Sequence, residues 1–299
     1  MSDAAVDAAL ANADLVGTLR AAFLDLAQGR AAMQPRVRTD CESVRLSTLG
    51  AIWPARDVAG AKIYTTIAGR FSFIIVLFST VSGEVLATFD ANAITRWRTA
   101  AVSLLAAQCC ARTEVRRLAL FGTGVQAKAH LAAFAGHYAL QSVHVVSRGD
   151  ASSFVREARA LAGCEVHAAT ARAALAEADV VITATRATAP LFDGAWLAPG
   201  TFVCAVGSSK PDTRELDDAA IARATTIVVE WREQALVEAG DLVLADSRLL
   251  SRVPVIELGA ALREPVAPAS ADRDIVIFKS VGVGLEDVAT AELVYRRQP

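Results

Sequence analysis

The stretch RLALFGTGVQAKAH, residues 117–130, decides the fold. An apolar run at 118–121 breaks into Gly122-Thr123-Gly124-Val125-Gln126-Ala127 and continues in helix-forming residues, which reads as a strand, a tight turn and a helix start. Gly122 turns sharply off the strand end, and Gly124 lacks the Cβ that would keep a diphosphate away from the backbone. Ala127 is small enough for the helix to lie close to the sheet. A diphosphate in this turn meets free N–H groups and the positive end of a helix dipole. A glycine turn by itself is weak evidence. Here a second apolar strand at 142–146 completes a βαβ unit, the context the motif requires, so Gly122, Gly124, Val125 and Gln126 are expected to cradle a dinucleotide.

Further along, apolar strands alternate with helical stretches: 180–183, 202–206, 227–229 and 275–278 follow the first two, which predicts a doubly wound parallel sheet covered by helices. Ligands of such sheets sit outside the carboxyl ends of the strands. Thr183, Ala184 and Thr185 after one strand, and Val206 and Ser209 in the turn after the next, are therefore expected to border the cofactor. The second strand ends in Ser147-Arg148, where many dinucleotide sites place an acid for the ribose hydroxyls. An arginine there pairs with a 2′-phosphate, which favours NADP(H) and leaves NAD(H) open; the alternative is a solvated loop residue.

The front of the chain has another pattern. Residues 14–28 place apolar side chains at helical spacing with Gly29 as a stop, and β-type runs follow at 44–52, 62–67, 71–78 and 85–89, with a hairpin turn at 82–84. No crossover helix separates these runs, so an antiparallel or mixed sheet is expected. A long helix is predicted from about 91 to 111, capped by Asp90 or Asn92, and a last helix at 286–295. Four cations precede the nucleotide-binding half: Arg36, Arg38, Lys62 and Arg98. Arg98, in the early turns of an otherwise apolar helix, suits a bidentate clamp on a carboxylate, and Lys62 is equally out of place among apolar strand residues. Surface charge is the competing explanation for each.

Composition bounds the rest. The chain has 299 residues, 54% hydrophobic and 21% charged, enough for two packed domains, and its net charge of −2 offers no basic face for nucleic acid. Five cysteines without a C-x-x-C and four histidines without ligand spacing point to reduced thiols and no metal. The opening Met-Ser-Asp is unlike a secretion signal, and no apolar run approaches the ~20 residues of a membrane span, so a cytoplasmic protein is expected.

Five motifs occur in the order seen in the ornithine cyclodeaminase/mu-crystallin family, which the chain resembles over nearly its whole length. They are Arg98-Thr99-Ala100-Ala101, the glycine turn at 122–127, Trp196-Leu197-Ala198-Pro199-Gly200, Arg214-Glu215-Leu216-Asp217, and Ser280-Val281-Gly282 followed by Glu286-Asp287. The resemblance implies an α/β protein. A Rossmann-type doubly wound sheet (108–284) would bind dinucleotide, and a second α+β domain (1–107 plus 285–299) would bind substrate and form a homodimer. It implies that Arg98, Lys62 and either Arg36 or Arg38 hold a substrate carboxylate, with Lys62 and Arg98 catalytic, and that the nicotinamide lies near Ser280 and Val281. Two positions depart from ornithine-converting members: Ser209 stands where those carry an aspartate, and Lys279 where they tend to carry an acid. Both bring the chain nearer the mu-crystallin type. It is therefore expected to be an NAD(P)H-dependent reductase of a cyclic ketimine carboxylate, protonating the imine nitrogen through Lys62 or a bound water. Ornithine cyclodeamination, a related amino acid dehydrogenase activity and non-catalytic binding of NADP(H) with a small ligand are the alternatives. Ile74, a threonine in ornithine-processing relatives, is read either as an apolar pocket wall or as ordinary strand packing.

Overall fold

The glycine turn belongs to a sheet of eight parallel strands. In the computed structural model, which describes residues 1–264, 266–267 and 275–298, the strand order is Val255–Glu257, Ala224–Val229, Ile275–Lys279, Phe202–Ala205, Val180–Thr183, Arg117–Phe121, Ser142–Val146 and Glu165–Ala168. Chain order runs outward one way from Arg117–Phe121, through Ser142–Val146 to Glu165–Ala168, then resumes on its other side at Val180–Thr183. That reversal is the switch point at which doubly wound sheets bind ligands. The central strands are fully buried, as strands covered on both faces by helices must be.

The chain divides into two compact units, Met1–Val102 with Gly282–Pro299, and Ser103–Val281, the division falling inside the helix Asn92–Cys110. The parallel sheet lies in the second unit. The first holds a six-stranded antiparallel sheet, ordered Ala32–Met33, Val44–Trp53, Val58–Ile67, Arg70–Ser79 and Val85–Asp90, with Val37–Cys41 also paired to Val44–Trp53. The hairpin turn at 82–84 joins the last two long strands, with Gly83 at φ +77°. The helices Leu15–Ala27 and Gly284–Arg296 pack together, and the latter lies against this sheet, its first residue so close that a Cβ at Gly284 would come within 2.4 Å of the Gly50 carbonyl oxygen.

One expectation needs correction. The Asn92–Cys110 helix is capped by neither Asp90 nor Asn92: the Ala93 amide donates to Oδ1 of Asp3 (2.7 Å), and the Asn92 side chain itself donates to Asp3 Oδ2. Asp3 sits in an N-terminal helix, Asp3–Leu10, for which no expectation was drawn from the sequence. The strands Glu165–Ala168 and Val255–Glu257 are short edges without a run of buried apolar residues, which leaves them no strand signal in the sequence.

Candidate functional site

In the second unit, Gly122 has φ +111°, and a Cβ there would meet the Ala184 carbonyl oxygen at 2.6 Å, so only glycine fits where the two switch-point strands end. Gly124 differs: a Cβ on it would meet nothing within 4 Å. It is also the N-cap of the helix Val125–His137, and no side chain caps that end. Open space beside uncapped amides, with Val125 exposed and Ala127 buried against the sheet, fits the diphosphate of a dinucleotide. Gln126 is half-buried and its carbonyl accepts from His130 (2.8 Å), whose other ring nitrogen meets Ser103 Oγ at 2.9 Å, a structural role for that histidine.

Buried carboxylates organise the neighbouring strand ends. Glu215 accepts from the Thr183 hydroxyl (2.7 Å), the Thr185 amide (2.8 Å) and hydroxyl (2.6 Å), and the Gly207 amide (2.7 Å). Burial pushes its carboxyl pKa up, against the pull of Lys279 and the Thr185 hydrogen bond. Asp241 accepts from the amides of Glu215 and Leu216 and pairs at 2.9 Å with Lys279, which also donates to the Ala205 carbonyl. Glu230 accepts from the Ser280 hydroxyl (2.5 Å) and the Val281 amide (3.1 Å).

The hydroxyls of Thr183, Thr185 and Ser280 and the amide of Val281, at the strand ends expected to border the cofactor, are directed to carboxylates of their own unit. Ala184, Val206, Ser147 and Ser209 are partly accessible at strand ends, and Arg148 is exposed. Lys279 is wholly buried and locked onto Asp241.

In the first unit the structure gathers three of the four sequence-picked cations. Lys62, 2% exposed, donates to Asp287 Oδ1 at 2.9 Å and lies 2.8 Å from Oδ2. Arg98, 5% exposed, donates through Nη1 to Glu286 (2.6 Å) and through Nε to Asp287 (3.2 Å). Arg36 donates to the Gly282 carbonyl (2.7 Å) and adds positive potential at Lys62. Arg38 instead acts electrostatically on Asp40. Gly282, at φ +74°, is where a Cβ would come within 2.5 Å of the Arg98 guanidinium. Desolvation pushes the Lys62 pKa down to about 8, assisted by Arg98 and Arg36 and opposed by Asp287.

Glu286 and Asp287, which the sequence analysis places only within a motif, are the acids that hold these cations. The signal was present: two acids in the first turn of a helix whose every residue through Glu292 is buried must have cationic partners. Ile74 lies on the sheet face opposite Lys62, since Lys62 pairs with Ile75, and it is exposed, which removes it as a wall beside the cations.

Residues 1–298 match the sequence profile of the ornithine cyclodeaminase/mu-crystallin family. The chain belongs to this family. Its family relatives include the ketimine reductase mu-crystallin of Mus musculus, 33% identical over 296 residues, which span 94% of this chain and 91% of the mouse protein. Two solved structures are similar throughout. A probable ornithine cyclodeaminase from Bordetella pertussis Tohama I is 49% identical with a TM-score of 0.96, covering 99% of this chain and 96% of that one. The Δ1-pyrroline-2-carboxylate reductase of Thermococcus litoralis, solved with NADH and L-proline, is 26% identical with a TM-score of 0.92, again covering 99% and 96%. Among the described residues of this family member no group of His, Cys, Asp or Glu is arranged to hold a metal ion, and no helix is long and apolar enough to cross a membrane.

Proposed function

We propose that the chain is an NADPH-dependent reductase of cyclic ketimine carboxylates, converting Δ1-pyrroline-2-carboxylate or Δ1-piperideine-2-carboxylate to proline or pipecolate. The observation that carries this is the buried cationic group: Lys62, Arg98 and Arg36 against Glu286 and Asp287, three positive charges to two negative when all are ionised. The surplus of one matches a single carboxylate. Lys62 and Arg98 grip that carboxylate through charge-assisted hydrogen bonds, pre-oriented by Asp287, which touches both. With a pKa of about 8, Lys62 is mostly protonated at pH 7 and gives a proton to the imine nitrogen, directly or through a water.

Gly122, Gly124, Val125 and Gln126 would hold the dinucleotide, with Ala184, Val206 and Ser209 along its rim. When bound, the dihydronicotinamide supplies the hydride that reduces the C=N carbon. Exposed Arg148, at the end of the Ser142–Val146 strand, supports NADP(H) over NAD(H) by offering a partner to a 2′-phosphate. The outward face of the antiparallel sheet supports a homodimer: Leu46, Ile52, Ile63, Ile74, Phe78 and Val85 are exposed together on the side away from Lys62, and sedimentation velocity reads the mass directly.

The Bordetella pertussis neighbour keeps a second reading in view, cyclodeamination of ornithine. Two features oppose it: Ser209 in place of an aspartate, and a surplus positive charge that would repel a second ammonium. Initial rates decide. Reduction of the cyclic ketimines with NADPH oxidation, and no ammonia from ornithine plus NAD, is the expected pattern; ammonia release from ornithine reverses the assignment.

A further inference from the structure

Beyond the cations, the same sheet face carries rings that the reaction has not used. Strand register places Lys62 opposite Ile75, Tyr64 opposite Phe73 and Thr66 opposite Phe71, so Lys62, Tyr64, Phe73 and Phe71 all project from one face. On that face Leu49, Lys62, Ile75 and Phe89 are buried, whereas Phe71 is 44% exposed and Tyr64 and Phe73 are half-buried. The rings form one cluster. Phe71 and Phe73 stack with centroids 5.6 Å apart, and Tyr64 lies tilted against Phe73 at 5.1 Å and Phe71 at 6.2 Å. The Lys62 ammonium stands 5.5 Å from the Phe73 ring and 6.0 Å from Tyr64, so the cluster begins where the cationic group ends.

A carboxylate on Lys62 has these rings at its side, 5.5–6.0 Å from the ammonium, within reach of the group attached to its α-carbon. Partly open aromatic rings beside a buried charged cluster have the character of a binding wall: apolar area with a few convergent polar anchors at one end. Charge points the same way. One carboxylate neutralises the surplus of the five ionised groups, so a cationic side chain would restore net positive charge and a second carboxylate would make it negative.

We propose that Tyr64, Phe71 and Phe73 form the side-chain subsite, and that it selects imino acids with one carboxylate and a flat, uncharged apolar group, ring or aryl, over small or charged side chains. This rests on the reductase reading for its chemistry, but not for its binding. Two measurements on the full chain separate them. Calorimetric titration of the NADP⁺-loaded protein compares phenylpyruvate with pyruvate, and kinetics compares the imines that each keto acid forms with methylamine. Phenylpyruvate is expected to bind about tenfold tighter, and the ratio of the two affinities to fall about threefold or more in Phe71→Ala and in Phe73→Leu, the size of one or two aromatic contacts. A purely structural role would weaken both ligands equally and leave the ratio unmoved. Equal affinities in the parent protein, or an unchanged ratio in both variants, overturns the subsite. Turnover of neither imine, with the phenylpyruvate preference intact, sinks the reductase reading and leaves the subsite standing; reduction of both at equal efficiency does the reverse.

Discussion

Replacing Lys62 with methionine separates its chemical role from its structural one. The side chain keeps its length and loses its charge, and Asp287 retains Arg98 as partner at 3.2 Å. Removing one member of a buried ion pair is costly chiefly because it leaves the other charge uncompensated, and here Asp287 keeps a guanidinium beside it. The variant is therefore expected to fold. What it loses is one charge-assisted hydrogen bond to the substrate, about 1.5–3 kcal/mol, together with the proton donor, so roughly ten- to 150-fold in kcat/KM for a cyclic ketimine is the minimum loss. The pH profile adds a second signature. With a pKa of about 8, roughly nine-tenths of Lys62 is charged at pH 7 and a little under one-tenth at pH 9, so kcat/KM of the parent enzyme should drop about tenfold over that interval. Titration of the imine is common to both proteins, so the parent-to-variant ratio in matched buffers isolates the lysine. Stopped-flow NADPH absorbance with Δ1-piperideine-2-carboxylate is the assay. An undiminished kcat/KM at pH 7, or a ratio that does not shrink between pH 7 and 9, refutes the assignment of Lys62 to the carboxylate and the proton.

Asp287→Asn should destabilise the chain by about 3–5 kcal/mol by leaving buried Lys62 and Arg98 short of a carboxylate, read as a lower urea midpoint. Asp287 raises the Lys62 pKa, so in any folded fraction of that variant the alkaline fall in rate should move below pH 8. The glycines of the turn should part company. Gly122→Ala meets a carbonyl oxygen at a left-handed φ and lowers stability, whereas Gly124→Ala meets nothing, leaves the urea midpoint in place and weakens NADPH binding measured by fluorescence. Arg148→Ala should reduce the preference for NADPH over NADH by about tenfold, the size of one exposed charge-assisted contact; equal loss for both cofactors would assign it another role.

The sequence revealed most where the determinants are local. The turn at 122–127 compresses strand end, backbone reversal and helix packing into six residues, and the structure uses Gly122 and Ala127 in those capacities. What it concealed depends on long separations. The Lys62–Asp287 hydrogen bond spans 225 residues and Arg98–Glu286 spans 188, so in sequence the acids read only as the first turn of a helix. Asp3 caps a helix 90 residues away, a bond that no local capping rule anticipates. Glu215 and Glu230 lay beside residues picked as cofactor contacts, but a sequence does not tell whether a threonine hydroxyl turns outward to a ligand or inward to a carboxylate. Face assignment along the strands was legible only through register: Ile74 and Ile75 are adjacent in sequence, and pairing alone decides which of them shares a face with Lys62.

On the proposed function Lys62 and Arg98 hold a carboxylate while the turn at 122–127 holds a dinucleotide, and a crystal structure with NADPH and proline shows both at once. The proline carboxylate is expected within hydrogen-bond distance of Lys62 Nζ and the Arg98 guanidinium, with the diphosphate against the amides that follow Gly124. A carboxylate bound elsewhere, with Lys62 and Arg98 still closed on Glu286 and Asp287 alone, would contradict it.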